Sequence, residues 1–540
     1  MAVVSEVAHP STTLPFARKW LITVSVMLIT VMQILDTSIT NVALPHMQGS
    51  LSTSVEETSW VITSYLAANA IVIPATAWLT GALGRRRLFL ICTVLFTVSS
   101  FLSGLAPNLP FLVVMRVLQG LGGGPVVPMA QATMWEIFPL RQRGLAMAVW
   151  GIGVMMAPIL GPTLGGWICD NWSWRWIFYV NLPIGVMGFF MAGAFLFDSP
   201  YAKKPTSVDW PGVALMVVGF GALQLTLDQG ERADWFESSF IVTLGAVAVC
   251  AILAFLIWEL RAQEPILNLA VFNDRNFAVG SVVMATVGLG FYSSTVLLAL
   301  YTQKLMGYDA WTSGIVLAPG GLGNMIALLF SGRLVTRVDQ RVLLGGGLLL
   351  NVVAFYLMTS VTLGMDYWAL ALPRFIQGFG QGFVFVPLQT LALATIRMER
   401  LSNATAAYNV VRNFGGSVGI ALVTTLLARR SQYHQNTLGS HVTMWSADTA
   451  GRLQQWNEHF LAQGADTFTS GRRALAMLYR DATDQAQVLA YGDIYILLVF
   501  LFTALLFLIP WMRRIRADQT GPAAKEAAGR VEPLPEPVAE

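Results

Sequence analysis

Fourteen apolar runs, each about long enough to cross a bilayer as a helix, alternate with short polar connections along the chain. A helical span takes roughly 20 mainly apolar residues. The runs fall at 20–43, 58–80, 88–106, 110–134, 144–168, 175–197, 211–228, 240–260, 277–302, 313–334, 342–362, 368–392, 404–428 and 490–512. The charge of the connections fits this series. With the N-terminus placed in the cytoplasm, the inner connections hold Arg85, Arg86, Arg87, Arg333, Arg337, Arg341 and most other basic residues, while the short outer ones hold only Arg175, Arg232 and Lys304. Lys and Arg accumulate in cytoplasmic loops, and one missed helix would scramble the alternation. Both termini are therefore expected inside.

Two segments break the rhythm. Residues 429–489 form a polar outer segment with amphipathic stretches such as "AGRLQQWNEHFLAQG", too long and too patterned for a plain turn. Residues 517–540, rich in Pro, Ala and Glu, read as a disordered tail. Arg18 and Lys19 precede a first run without a small-residue cleavage site, so that run is expected to stay as an anchor.

Composition agrees with lipid as the solvent. Of 540 residues, 55% are hydrophobic and 12% charged, against about 25% charged in a soluble domain. The net charge of +3 is small and dispersed, which argues against a nucleic-acid partner. Cys92, Cys169 and Cys250 suggest neither a disulfide framework nor a metal site, and the outer histidines His434, His441 and His459 lack ligand spacing. A membrane enzyme would need His, Asp or Cys clustered at one face, and no such cluster is evident.

One motif occurs twice. "MRVLQGLGGG" begins at Met115 and "PRFIQGFGQG" at Pro373, which pairs Arg116, Gln119, Gly120, Gly122 and Gly124 with Arg374, Gln377, Gly378, Gly380 and Gly382. The glycines allow close helix packing. They are no nucleotide loop, since no GKS/T follows. Two parallel six-helix halves with a helix pair inserted between them give this spacing, and internal repeats of that kind mark secondary transporters.

Asp36 is the one acidic residue well inside a span, and Gln33, Thr37, Thr40 and Asn41 share its helix face. A carboxylate at mid-membrane costs about 2.5–3.5 kcal/mol on insertion scales, so it faces a wet cavity or a partner. Counting along the helices puts Asp36 about 6 Å and Arg116 about 9 Å outward of their helix centres, a shared depth at which they can meet. Burial favours the neutral acid and a guanidinium favours the carboxylate. A carboxyl so balanced can load a proton outside and release it inside; equally, the pair can lock helices without moving protons. Arg374 has no acidic counterpart in 277–302, which leaves a carbonyl, a glutamine or an anionic substrate as its partner. Further polar residues on inward faces are Tyr65 and Asn69, Gln377 and Gln381, and Asn409, Arg412 and Asn413. With Gln33, Thr37, Asn41 and Gln119 they are the expected cavity lining. Arg412 points either to an anionic or zwitterionic ligand or to a carbonyl clamp.

The stretches "LDTSITNVALP", "APILGPTLGGWICDNWSWRWIFYVNLPIG", "LDQGERADWF" and "LYTQKLMGYDAWTSGIVLAPGG" together resemble the fourteen-helix drug/proton antiporters of the major facilitator superfamily, EmrB type, over roughly residues 15–512. The resemblance implies an all-α membrane fold of two pseudo-symmetric six-helix bundles plus two inserted helices. The expected division is a cytoplasmic N-terminus at 1–19, one half at 20–197, a linker with two helices at 198–276, a second half at 277–512 and a tail at 513–540. Further implications are residence in a bacterial inner membrane and proton-driven export of amphipathic toxic compounds without a cofactor. A periplasmic adaptor of EmrA type and an outer-membrane channel are the implied partners. Gly161, Pro162, Gly165 and Gly166 match the antiporter signature, thought to seal against leakage; as plain physics they are a groove for close packing. The loop after the second span departs from the family: Gly81 stands where an aspartate is usual, although Gly84, Arg85, Arg86 and Arg87 match. An acid-based charge relay at that cytoplasmic gate is therefore not expected. Its arginines suit orientation or lipid headgroups. Export of a single physiological amphiphile, such as a fatty acid, bile salt or siderophore, is the alternative within the same class.

Overall fold

The computed structural model describes residues 14–201, 204–443 and 446–514. The expected tail, from residue 515 on, and the first 13 residues lie outside the described residues. The chain runs α1 (Phe16–Leu51), α2 (Val55–Leu83), α3 (Arg85–Gly104), α4 (Leu109–Gly123), α5 (Val126–Ile137), α6 (Leu140–Asn171), α7 (Asn181–Phe195), α8 (Trp210–Gln229), α9 (Ser239–Glu259), α10 (Arg275–Leu300), α11 (Ala310–Leu334), α12 (Gln340–Leu357), α13 (Tyr367–Leu393), α14 (Leu401–His441), α15 (Ala447–Ala462) and α16 (Thr467–Leu506), with a single turn Trp176–Tyr179 before α7. No strand occurs among the described residues.

Twelve helical stretches among the described residues are long and apolar enough to cross a membrane, with α4 and α5 forming one of them. Two more, α6 with 32 residues and α13 with 27, are long enough at about 1.5 Å per residue. That total is compatible with fourteen crossings.

Helix starts follow the capping residues. Ser54 accepts from Glu57 N while Glu57 bonds back to Ser54 N, a complete capping box for α2. Asn108, Asp274, Asp366 and Asp466 cap α4, α10, α13 and α16 in the same sense. The expected span 110–134 breaks in two at Gly124–Pro125, because proline cannot donate the ladder hydrogen bond. The expected span 404–428 lies within the much longer α14, and 490–506 of the expected span 490–512 lies within the much longer α16, a short turn at Ile509–Trp511 following it. Polar residues after 428 and before 490 mark where the chain leaves the apolar zone, not where the helix ends.

Helices α1–α7 form one bundle and α10–α14 with α16 the other. They meet where α6 packs on α11 and α2 packs on α14. Contact is tightest at the end that carries the arginine-rich connections. There every residue of α5 is buried, as are Val384–Leu393 of α13 and Ala404–Val410 of α14. Trp150 stacks on Phe385 at 5.9 Å, and Asn409 Nδ2 donates to Gln131 Oε1 at 2.6 Å across the seam. At the other end, Leu35, Ile39, Val61, Leu112, Ala157 and Ile168 form an apolar cluster of their own within the first bundle. The halves thus close on each other at the arginine-rich end.

The inserted pair α8–α9 covers only one of the two seams. From α8, Asp228 accepts from Thr63 of α2, Gln224 Oε1 accepts from Ser417 of α14 at 3.1 Å, and Phe220 lies 5.1 Å from Phe414. Beyond the bundles, α15 lies along the extension of α16: Trp456 Nε1 donates to Asp481 Oδ2 at 3.4 Å, and Arg473 sits 5.9 Å from the Phe460 ring.

Candidate functional site

Asp36 lies in the middle of α1, 1% exposed, and three side chains from two other helices hold its carboxylate. Arg116 Nη1 donates to Oδ2 at 2.6 Å; Gln119 Nε2 and Asn181 Nδ2 donate to Oδ1 at 2.8 and 2.7 Å. Arg116 and Gln119 are one turn apart on α4, and Arg116 Nη1 also reaches Gln119 Oε1 at 2.7 Å. The guanidinium donates from Nε to the Val61 carbonyl at 3.0 Å and lies 4.3 Å over the Tyr65 ring. All three partners are fully buried. A buried charge persists only when paired and hydrogen-bonded, and this one is.

Small residues bring the helices close enough. A Cβ on Gly120 would lie 2.5 Å from the Tyr65 carbonyl oxygen, so only glycine lets α4 settle on α2 at that depth. On the opposite side of α1, a Cβ on Gly165 would meet Ile39 Cα at 3.3 Å, and one on Gly161 would overlap Ser38. The glycine signature of α6 therefore presses on α1 immediately beside Asp36. Gly166 is looser, with Val42 at 4.0 Å, and Pro162 is within α6.

The second copy of the motif builds the same frame around a different residue. Arg374 Nη1 donates to Gln377 Oε1 at 2.6 Å, Arg374 Nη2 to Thr295 Oγ1 at 2.9 Å, and Gln377 Nε2 to Ser294 Oγ at 2.5 Å. Hydroxyls on α10 take the place of an acid. Arg374 is buried and is held within its own half.

The expected cavity residues divide into two groups. Thr37 and Arg412 with Asn413 are half-buried and Asn41 is exposed. Gln33, Tyr65, Asn69, Gln119, Gln377, Gln381 and Asn409 are instead buried. Gln33 donates to Tyr65 Oη at 2.9 Å, Gln119 belongs to the Asp36 cage, Gln377 serves Arg374, and Asn409 is tied across the seam. Amides on helices that pack this closely bond to one another before they can meet a ligand. Arg412 is the exception among the arginines of the core: the described contacts of its guanidinium are long ones, 3.4 and 3.5 Å, to Asn413 Oδ1.

At the arginine-rich end, the carboxylate absent from the loop after α2 comes from elsewhere. Arg85 pairs with Glu136 of α5 at 2.6 Å, both buried, and Ser199 Oγ donates to Glu136 at 3.0 Å. Asp198 accepts from Arg86 N at 2.9 Å, packed against Gly84, whose φ of +80° suits glycine. Arg86 also reaches the Gly193 carbonyl, and Arg87 is exposed. Glu136 lies just beyond its expected span, and nothing in the loop pattern points to it. Asn181 was likewise missed; its only signal is an amide opening the run "NLPIG".

Comparison with known proteins accords with this architecture. The model of the Major Facilitator Superfamily matches residues 26–420. The fatty acid resistance protein FarB of Neisseria gonorrhoeae is 35% identical over 92% of this chain and 96% of its own. The multidrug export protein EmrB of Haemophilus influenzae is 36% identical over 91% and 94%. The structure of the human organic anion transporter MFSD10 superposes with a TM-score of 0.59 at 14% identity, covering 91% of this chain and all of that one, and so shares the fold. The chain, a multi-pass membrane protein of two packed bundles, belongs to the Major Facilitator Superfamily and is a transporter rather than an enzyme.

Proposed function

We propose that this protein is a proton-driven multidrug efflux antiporter of a bacterial inner membrane, with both termini cytoplasmic. It exports hydrophobic and amphipathic toxic compounds by alternating access. The observation that carries this reading is the buried Asp36–Arg116–Gln119–Asn181 network inside one of two halves that close on each other at the arginine-rich end. Both oxygens of this carboxyl are partnered in this conformation, so it gives up its pairing with Arg116 only when the helices around it shift. Protonation then accompanies the shift, and the linkage between the two is the coupling that antiport needs. The paired bundles act as two walls, with the closed end on the cytoplasmic side by the positive-inside rule.

Arg412 and Asn413 in one half, and Thr37 and Asn41 in the other, are the incompletely buried polar groups offered to a bound compound in this state. Gly161, Pro162, Gly165 and Gly166 keep α6 seated against α1, so that the acid stays shielded. Arg85 with Glu136, flanked by Gly84, Arg86 and Arg87, serves the cytoplasmic gate. The names of the relatives support efflux as the direction, and a periplasmic adaptor of EmrA type with an outer-membrane channel would complete a tripartite pump.

The test is purified protein in liposomes with an imposed proton gradient and a panel of fluorescent amphiphiles. Substrate-dependent proton movement is expected in the wild type and not in Asp36→Asn. Gradient-independent flux would refute antiport. A second reading, a dedicated fatty-acid exporter, draws on the similarity to FarB and on the weakly partnered Arg412. Transport of a fatty acid to the exclusion of cationic and neutral dyes in the same liposomes would favour it.

A further inference from the structure

Two buried atoms of the Asp36 cage lack a hydrogen-bond partner, the donor Arg116 Nη2 and the acceptor Asn181 Oδ1, and only the acceptor can meet an added proton. Asn181 donates from Nδ2 to Asp36 Oδ1 at 2.7 Å and to Ser100 Oγ at 3.0 Å, while its own Oδ1 is buried without a hydrogen-bond partner. Ser100 Oγ in turn donates to the Phe178 carbonyl at 2.8 Å. Buried polar atoms are almost always satisfied, and an orphan calls for a reason. The other amide of the cage has none to spare: Gln119 Oε1 already accepts from Arg116 and its Nε2 faces Asp36.

A carboxylate accepts only, whereas a protonated acid also carries one donor. If Asp36 gains a proton on Oδ1, the present Nδ2–H of Asn181 points at an O–H, and the contact turns repulsive. A half-turn of the amide about its terminal bond replaces that donor with the idle Oδ1, which accepts from the acid. Ser100, with a rotatable hydroxyl, then swings its single hydrogen from the Phe178 carbonyl to the same Oδ1, which releases that carbonyl.

We propose that Asn181 is the positioning residue that lets Asp36 exist in both protonation states: its amide donates to the carboxylate, turns over, and accepts from the acid. The Asp36–Asn181–Ser100–Phe178 chain carries the change to the turn Trp176–Tyr179 that enters α7. The charged and titratable groups around Asp36 among the described residues are Arg116 from α4 and Tyr65 from α2; α3 and α7 offer the neutral Ser100 and Asn181, and α6 offers glycine.

This inference rests on Asp36 as the proton carrier, and infrared difference spectroscopy separates the two claims. Full-length protein in liposomes, carrying isotope-labelled asparagine, is titrated and the spectra are compared with those of Asp36→Asn. A carboxyl band that appears with acid and vanishes in Asp36→Asn reports the carrier. A labelled-amide carbonyl band that shifts in step with it, and is lost in Asn181→Leu, reports the turnover. Asn181→Leu removes a stronger hydrogen bond to the charged acid and a weaker one to the neutral acid, so the pH profile of transport is expected to move toward alkaline by the difference, about one pH unit. Asn181→Ser, which keeps a group able to donate or accept, is expected to recover part of that shift. If the carboxyl band behaves as stated while no asparagine band moves in the wild-type protein, the role of Asn181 is overturned and that of Asp36 stands. If Asp36→Asn leaves the acid band in place, the carrier assignment itself fails.

Discussion

Ser294 stands 80 residues before Arg374, the same separation that divides Asp36 from Arg116, and each faces its arginine across the equivalent pair of helices. The two glutamines repeat the register at a separation of 83. The duplicated frame thus holds an acid in one half and a hydroxyl in the other. If proton coupling resides in the acid, the halves are not interchangeable. Ser294→Ala is expected to leave substrate-induced proton release within about twofold of wild type, whereas Asp36→Asn abolishes it while ligand binding persists. A pH-electrode measurement on detergent-solubilised protein distinguishes them, and equal loss in both variants would contradict the asymmetry.

Arg116 is the larger structural commitment of the pair. Removing one member of a buried ion pair leaves an uncompensated charge and costs about 3–5 kcal/mol. Arg116→Gln is therefore expected to lower the thermal midpoint clearly, and Asp36→Asn with Arg116→Gln together to recover part of the loss. Arg116→Lys should not restore wild-type stability, because an ammonium cannot reach Asp36 and the Val61 carbonyl in one planar fork. Additive losses in the double variant would show that the two residues do not depend on each other.

The closed end depends on glycine. A Cβ on Gly332 of α11 would lie 2.8 Å from Ala148 Cβ and 3.2 Å from the Gly144 carbonyl oxygen on α6. Gly332→Leu should wedge the halves apart at the arginine-rich end. Spin labels at Arg87 and Val338, both exposed at that end, are expected to show a longer mean distance in this variant. An unchanged distance distribution would mean that the seam absorbs the bulk without opening.

The spans and the duplicated arginines could be read from the chain because they obey local rules, apolar length and exact repetition. The cage around Asp36 could be read only in part. Arg116 shares a depth with the acid that helix counting can supply, but Asn181 reaches it from the start of α7, a contact set by how α3 and α7 pack. Ser294 was invisible for the opposite reason: a serine in an apolar helix satisfies itself locally and draws no notice until its register is measured against Asp36. At the gate, the missing loop aspartate suggested a lost relay, yet Glu136 supplies the carboxylate from α5. Charge partners in a bundle are set by depth and facing, so sequence distance does not reveal them.

The outer helices raise the question of where an adaptor would sit. The apolar side of α15 is occupied, since Trp456 and Phe460 lie against the extension of α16. That leaves the other side of the extension, where Phe468, Leu475 and Tyr479 are 73%, 58% and 65% exposed at helical spacing, with Arg472 between them. Large apolar side chains on one polar helix face mark an interaction surface more readily than scattered ones do. Replacing all three with serine removes only exposed contacts, the Gln435 Nε2 bond to Tyr479 Oη at 2.8 Å and the Arg472 contact with the Phe468 ring, and should change stability by about 0.5 kcal/mol per site. Transport by the isolated protein in liposomes is expected to be intact. Co-purification with a co-expressed periplasmic adaptor, and resistance of the cells that carry both, are expected to fall about tenfold or more. Retained co-purification would move the adaptor site off this stripe, and loss of transport in liposomes would show that the stripe serves the transporter itself.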